Sequence, residues 1–428
     1  MSDLAHNGAY APSGPASGAA GGGFALDGAS RRLLGDVSLF VAAMSGGFVI
    51  FEPAPYELLM VGLMGAFFLV GLKVTRSSLP LLALMTLFSL GGVMGMFQLN
   101  DPGSSYVYIA VTFFLGLTAW FFALVVAEDP YRLRIIMLGT IWGAVLTAFL
   151  GIAGYFDAIP GSDLFLRYGR AKGAFQDPNV LAPFLVLPAA WLWHGILTRS
   201  ASMSLVRAAA LFVLLLGIFL AFSRAGWGLI VFALAGVYAL AFLHNRAAAF
   251  RLRLLILAAL AGVGMVLALV IALQIPAIAD LFSSRAQLVQ EYDGGELGRF
   301  QRHWLGFMLA VEKPFGIGRS EFAKLYTEDP HNIWLKCLMV YGWLGFVSFL
   351  IITALTIKRG FSLLFLDRPW TPYLQICWVV FVGHIVMAWV IDIDHWRHVF
   401  MLFGLLWGMF ALEINYRQHE RREARLFA

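Results

Sequence analysis

GGELGRFQRHWLGFMLAVEKPFGIGRSEFAKLYTEDPHNIWLKCLMVYGWLG, residues 294–345, holds the two kinds of helix on which the whole chain turns. Its first half is amphipathic. Arg299, Arg302 and His303 share one helical face at i, i+3, i+4 spacing, while Leu297, Phe300, Trp304, Phe307, Met308 and Val311 cover the other. Gly316-Ile317-Gly318 marks a turn. Asp329-Pro330-His331-Asn332 then opens a long apolar run. Asp is a strong N-cap and Pro fits the first helical position. The sequence therefore predicts a membrane helix with His331 in its first turn, near the water boundary.

Apolar runs and polar connectors alternate through the rest of the chain. Of 428 residues, 60% are hydrophobic and 13% charged, and the mean hydropathy is +0.80. That balance excludes an ordinary soluble domain and fits an all-α polytopic membrane protein. A bilayer takes about 20 apolar residues to cross. Runs of that order lie near 34–51, 55–73, 79–98, 106–127, 135–155, 179–198, 205–222, 225–243, 254–274, 331–356, 373–391 and 397–415, which makes twelve. The expected organisation is a cytoplasmic tail at 1–30, one transmembrane domain at 31–416 and a basic cytoplasmic tail at 417–428. Within the domain, 275–330 forms a large outer loop with short helices. Residues 1–30 are rich in Gly, Ala, Ser and Pro and lack an apolar core, so they read as disordered and not as a cleavable signal peptide. Cys337 and Cys377 fall in different spans at opposite depths, which argues against a disulfide.

Positive charge sets the orientation. One side collects eighteen of the thirty Lys and Arg residues, including Arg31, Arg132, Arg253, Arg359 and Arg417. The other side holds eleven, and Lys336 lies just inside a span. Both termini are therefore expected in the cytoplasm. The loops 156–178, 275–330 and 392–396, and the tight turn at Ser223-Arg224, face the periplasm. The pI of about 9.2 follows this topology and does not point to nucleic acid. No internal repeat of the transporter kind is visible. His384 is the main ionisable group at mid-span and reads as a packing residue.

The outer face carries the unusual residues. Arg170 and Lys172 lie in RYGRAKGAFQDPN before the sixth span, and Asp177-Pro178 starts that span as Asp329-Pro330 starts the tenth. Two helix N-termini would then point outward with free N–H donors and partial positive charge. Arg224 sits in the minimal turn FSRAGW, and Arg299 and Arg302 on the amphipathic helix. Arginine binds phosphate oxygens through a planar fork. Several arginines at headgroup level suggest an anionic lipid ligand such as a lipid diphosphate; the plainer reading is snorkelling to ordinary phospholipid. A helix N-terminus disfavours imidazolium, so His331 would stay neutral and suit a general base. The plainer reading is a first-turn histidine bonded to a loop carbonyl. His303 reads as a surface residue, and Asn332 and Asn179 as helix-start hydrogen-bonders. The loop Asp392 to His398, DIDHWRH, offers hard-metal ligands, but a helix start splits them at no standard spacing, so neither metal nor cofactor is expected.

The ordered set FSRAGW, GRFQRHW, KPFGIG and HN followed by nine residues and GWLG resembles the O-antigen ligase and polymerase superfamily. RAKGAFQDPN also resembles a motif of that group, and the similarity covers roughly residues 165–350. The resemblance implies an inverting, metal-independent, membrane-embedded glycosyltransferase. It would move a glycan from an undecaprenyl diphosphate carrier to an acceptor glycan or glycolipid at the periplasmic face of the bacterial inner membrane. His331 resembles the catalytic histidine of the family, and Arg224 and Arg299 its two diphosphate-binding arginines. Arg302 is the alternative to Arg299, Arg170 an added diphosphate contact, and Asn332 and Asp392 supporting residues. A ligase transfers to lipid A–core and a polymerase to another carrier-linked repeat; both stay open. The rival from another class is a lipid-linked glycan transporter or flippase, which would show charges at the bilayer midplane and paired broken helices. A scaffolding membrane subunit is the third.

Overall fold

The computed structural model describes residues 28–99, 103, 105–198, 204–285, 298–319, 321–326 and 328–426, without the side chains of residues 204, 285, 299 and 300. The expected disordered tail lies outside the described residues as far as residue 27, as does 286–297 of the outer loop.

The fold is all-α. Its helices are α1 (Gly28–Ser45), α2 (Pro55–Val70), α3 (Leu79–Met96), α4 (Ser105–Glu128), α5 (Arg132–Tyr155), α6 (Pro178–Thr198), α7 (Ser204–Leu220), α8 (Arg224–His244), α9 (Ala248–Ala272), α10 (Pro276–Arg285), α11 (Arg299–Glu312), α12 (Glu321–Tyr326), α13 (Ile333–Leu363), α14 (Thr371–Met387) and α15 (Arg397–Leu426). Each of the twelve expected spans coincides with one of them, and the short helices α10, α11 and α12 fill the large outer loop. Eight helices are long and apolar enough to cross a membrane by length and composition, namely α3 with its preceding turn, α4, α5, α6, α8, α9, α13 and α15. Pro55–Val70, Leu205–Leu220 and Thr371–Met387 are shorter apolar helices. The basic segment from Arg417 continues α15 as helix to Leu426.

The core runs along α4 and α15, where Phe121 to Val126 and Val399 to Leu412 are almost completely buried. The pairs α3–α13 and α1–α5 pack beside it, and α6, α7 and α8 form a second group joined to it through α14. α9 contrasts with these. Leu260, Val263, Met265 and Ile271 are exposed, as suits a helix bathed in lipid tails.

One break positions the segment that carries His331. Inside α13, Gly342 takes φ 62°, ψ −171°, and the helix is interrupted there. The tight turn at Gly316 and Gly318 in KPFGIG packs its backbone into the gap. Ile317 and Gly318 donate backbone N–H to the Met339 carbonyl at 2.7 and 3.1 Å, and Trp343 N–H donates to Pro314 O at 3.0 Å. Backbone groups in an apolar surround must be satisfied internally, so irregular chain at this depth is tolerated only when protein fills it. α3 closes the other side. A Cβ on Gly91 would come within 2.2 Å of Tyr341 O.

Gly342→Ala tests this plug. The φ/ψ of Gly342 is a glycine-only region costing other residues about 1–3 kcal/mol, and a Cβ would also meet Phe315 O at 2.9 Å. The purified variant should melt at least ~2 °C below wild type. Gly262→Ala, with nothing within 4 Å of its Cβ, should melt with wild type or above it. Equal melting of Gly342→Ala and wild type would overturn the account.

Candidate functional site

The start of α13 differs from the sequence reading, and the difference matters. Helix begins at Ile333, with Asn332 as N-cap: its side-chain oxygen accepts from the backbone N–H of Trp334 and Leu335 at 3.0 and 3.2 Å. Its amide donates to Trp389 O at 3.1 Å, and Ile333 N–H to Ala388 O at 2.9 Å, which ties the start of α13 to the end of α14. His331 is therefore not in the first helical turn. It stands one residue before the cap with φ 48°, in a tight left-handed bend. Asp329-Pro330 does not start the helix either, because Asn332 satisfies the first free N–H groups in its place. The same dipeptide behaves as expected at α6. There Pro178 opens the helix and the Asp177 carboxylate accepts Asn179 N–H at 2.7 Å.

Outside the helix, the His331 ring is set by a carboxylate. Nδ1 lies 3.7 Å from Asp392 Oδ2, at ion-pair distance, and the side chain is 44% exposed. The same Asp392 oxygen accepts from Lys336 Nζ at 3.1 Å, and Lys336 lies 4.0 Å from Asp329. Burial alone would raise the Asp392 carboxyl, but the Lys336 ammonium, helped by His331, holds it down at about 2. His331 thus keeps Nδ1 toward a fixed negative charge while its side chain stays partly open to solvent.

A buried polar layer lies below. Asp394, 2% exposed, accepts from the hydroxyls of Tyr108 at 2.6 Å and Tyr341 at 2.9 Å. Thr112 Oγ1 sits 2.8 Å from both Tyr341 OH and His395 Nε2. The His395 ring stacks on Tyr108 with centroids 3.7 Å apart. Burial pushes His395 down to about 4, against the pull of Asp394, so it acts as a neutral hydrogen-bonding ring. Arg319 covers the Tyr108 ring at 4.3 Å. The residues weighed as metal ligands thus have separate tasks. Asp392 turns to Lys336, Asp394 to two tyrosines, His395 to Thr112, and His398 into the core beside Phe184 and His384.

The amphipathic helix α11 braces the bend. Arg302 is buried and its Nη1 pairs with Glu328 at 2.6 Å; the ring of His303 meets Pro330 O at 2.8 Å. Both contacts grip the segment that leads into His331. His303, read as a surface residue, is part of this brace. Arg299 opens the helix, and its side chain lies outside the described residues.

The arginines of the second group surround the α7–α8 turn. Arg224 is the first residue of α8, half-buried, after the N-cap Ser223, whose hydroxyl accepts Gly226 N–H at 3.3 Å. Arg170 comes from a two-stranded hairpin, Leu166–Arg167 paired with Arg170–Ala171, closed by Tyr168 and Gly169 at positive φ. Its side chain is buried; Nε donates to Ala221 O at 2.7 Å and Nη2 to Asn179 Oδ1 at 2.8 Å. Arg170 therefore fixes the turn that presents Arg224.

The sequence reading singled out His331, Asn332 and Asp392, and the structure brings them together. It passed over Tyr108, Tyr341 and Arg319, and weighed Asp394 only as a metal ligand. The signal available was Lys336, a cation inside a span, which requires a buried anion. The tyrosines gave none, since an aromatic residue in an apolar helix reads as packing.

Residues 209–350 match the O-antigen ligase family. The matched stretch runs from α7 to the middle of α13 and contains Arg224, Arg302, Arg319, His331, Lys336 and the Gly342 break. No curated protein matches the chain.

Arg170→Ala should destabilise the protein before it affects chemistry. It leaves a buried carbonyl and amide unpaired, at about 1–3 kcal/mol each. The expected result is a melting temperature several degrees below wild type in detergent. An unchanged melting temperature would show that Arg170 does not hold the α7–α8 turn.

Proposed function

We propose that this chain, whose residues 209–350 match the O-antigen ligase family, is an inner-membrane glycosyltransferase. It moves a glycan from undecaprenyl diphosphate to an acceptor hydroxyl at the periplasmic face, as an O-antigen ligase-like enzyme of lipopolysaccharide biosynthesis. The observation that carries the reading is the half-exposed His331 ring beside Asp392, within a segment tied to glycan transfer by its family.

The step is a single inverting displacement. The acceptor oxygen attacks the anomeric carbon from the face opposite the diphosphate. Nε2 of His331 takes the hydroxyl proton, and the carboxylate of Asp392 stabilises the imidazolium that forms. The bond from anomeric carbon to diphosphate oxygen breaks, and the carrier diphosphate leaves with that electron pair. Arg224 and Arg299 hold its charge, with Arg302 and Arg170 positioning the elements that carry them. Base and cations all come from the chain, which is the basis for a metal-independent mechanism. The proposed orientation, both termini cytoplasmic, rests on the bias of Lys and Arg between the two sets of loops.

The test uses purified full-length protein in nanodiscs with chelator, carrier-linked glycan and lipid A–core. His331→Ala should lose about 10²- to 10⁴-fold in turnover with donor still bound. Arg224→Lys, which keeps charge but loses the fork, should lose most activity while still inserting. Wild-type turnover in His331→Ala, or loss of wild-type activity to chelator, would overturn the mechanism.

The orientation has its own test. A cysteine at Ser283, in the outer loop, should label with an impermeant thiol reagent from the periplasm, and one at Leu363 only after the inner face is opened. Labelling of both from one side would sink the layout.

A further inference from the structure

Arg319 follows the KPFGIG turn that fills the break in α13. Its guanidinium lies 4.3 Å over the Tyr108 ring, while His395 stacks on the same ring at 3.7 Å. Two groups this close to one centroid cannot share a face, so Tyr108 is sandwiched between them. The Tyr108 ring cannot swing, because its hydroxyl is anchored on buried Asp394 at 2.6 Å. The platform therefore fixes the plane of the guanidinium. Among the described residues Arg319 makes no hydrogen bond or ion pair, although it is half-buried. A guanidinium carries five N–H donors in a fixed fork. Stacking uses its face and leaves that edge open.

Its surroundings say what the edge would take. Lys336 Nζ lies 5.7 Å from the centroid of the same ring and 3.1 Å from Asp392, which in turn neighbours His331. The carboxylates of this cluster already have neighbours: Asp392 is engaged by Lys336, Asp394 by the two tyrosines, and Asp329 lies 4.0 Å from Lys336. That leaves Arg319 as an oriented positive fork, linked to the proposed base through Tyr108, Lys336 and Asp392. A planar fork held flat, with no anion paired to it among the described residues, matches an oxyanion with two oxygens in one plane.

We infer that Arg319, held flat on Tyr108, binds a phosphate oxyanion of a substrate beside His331. The inference rests on the glycosyl-transfer reading of the site. The phosphate belongs either to the diphosphate of the carrier or to a phosphate substituent on the acceptor glycolipid. In either case Arg319 touches substrate, and it adds a cation from the loop that plugs α13 to those of α8 and α11.

The experiment uses full-length protein in nanodiscs with Arg319→Gln and Arg319→Lys. Donor KM, acceptor KM and inhibition by inorganic pyrophosphate are measured separately, and the acceptor is supplied with and without its phosphates. Removing a charged hydrogen-bond partner should cost about 10- to 100-fold. If the carrier diphosphate is the ligand, Arg319→Gln raises donor KM and weakens pyrophosphate inhibition by that factor. If the acceptor phosphate is the ligand, it raises acceptor KM only for the phosphorylated acceptor. Arg319→Lys, which keeps charge and disturbs packing least, should show the same change in smaller measure. Melting temperatures within a degree or so of wild type keep these readings free of folding effects. The inference is overturned if both KM values and pyrophosphate inhibition stay at wild type in Arg319→Gln. If His331→Ala is inactive in the same assay, only the Arg319 assignment falls; if His331→Ala is also at wild type, the glycosyl-transfer reading falls with it.

Discussion

Everything around His331 depends on how one interrupted helix satisfies its backbone. α13 breaks at Gly342, and in an apolar surround the freed carbonyl and N–H groups need partners from protein. The segment Pro314 to Gly318 supplies them: Ile317 and Gly318 N–H donate to Met339 O, and Pro314 O accepts from Trp343 N–H. The exchange makes three pieces of chain one unit: the amphipathic helix α11, the loop that carries Arg319, and the outer half of α13 that carries Asn332 and Lys336. A loop that merely lay on the surface could not hold an arginine at a fixed angle over Tyr108. The plug explains why a loop that looks like a connector carries two glycines at positive φ and packs against backbone.

Most of the architecture was legible in the sequence because bilayer thickness imposes a length on every apolar run. The twelve runs all became helices, and Ala221 to Ser223 became a three-residue turn with Ser223 as cap. What could not be read was local competition at helix starts. Asp329-Pro330 and Asp177-Pro178 are the same dipeptide, yet only the second opens a helix. At the first, Asn332 two residues on caps more completely and binds Trp389 O besides. His331 is thereby moved out of the helix and toward Asp392, a residue 61 positions away, and no periodicity encodes that meeting. The break at Gly342 was hidden for a related reason: glycine in a membrane helix usually marks close packing, and here Gly91 and Gly345 do that while Gly342 alone leaves helical geometry.

A broken membrane helix is also a hallmark of transporters, so its form here bears on the rival reading. In such proteins a pair of broken helices meets at the midplane, where unwound backbone is left open to coordinate cargo. In α13 the break lies ten residues after the cap, and its freed groups are consumed by Pro314 to Gly318. His384, the ionisable group deepest in a span, is fully buried and bonds its own helix at Val380 O. Open polar groups collect at one face, around His331 and Arg319, where surface chemistry would need them.

Lys336 ties the electrostatics of that face together. A lysine in the first turns of an apolar helix must have an anion, or its charge would be left in low dielectric. Asp392 is that anion at 3.1 Å, and the pairing works in both directions. A carboxyl as buried as Asp392 would otherwise drift toward its neutral form, which could orient an imidazole but not stabilise an imidazolium. With the ammonium beside it, Asp392 stays charged at about 2 and presents the same oxygen to His331 at 3.7 Å. The lysine that looks out of place in the span is what makes the aspartate an effective neighbour for the histidine. The residue that a hydropathy reading treats as an irregularity is thus the one on which the proposed proton transfer depends.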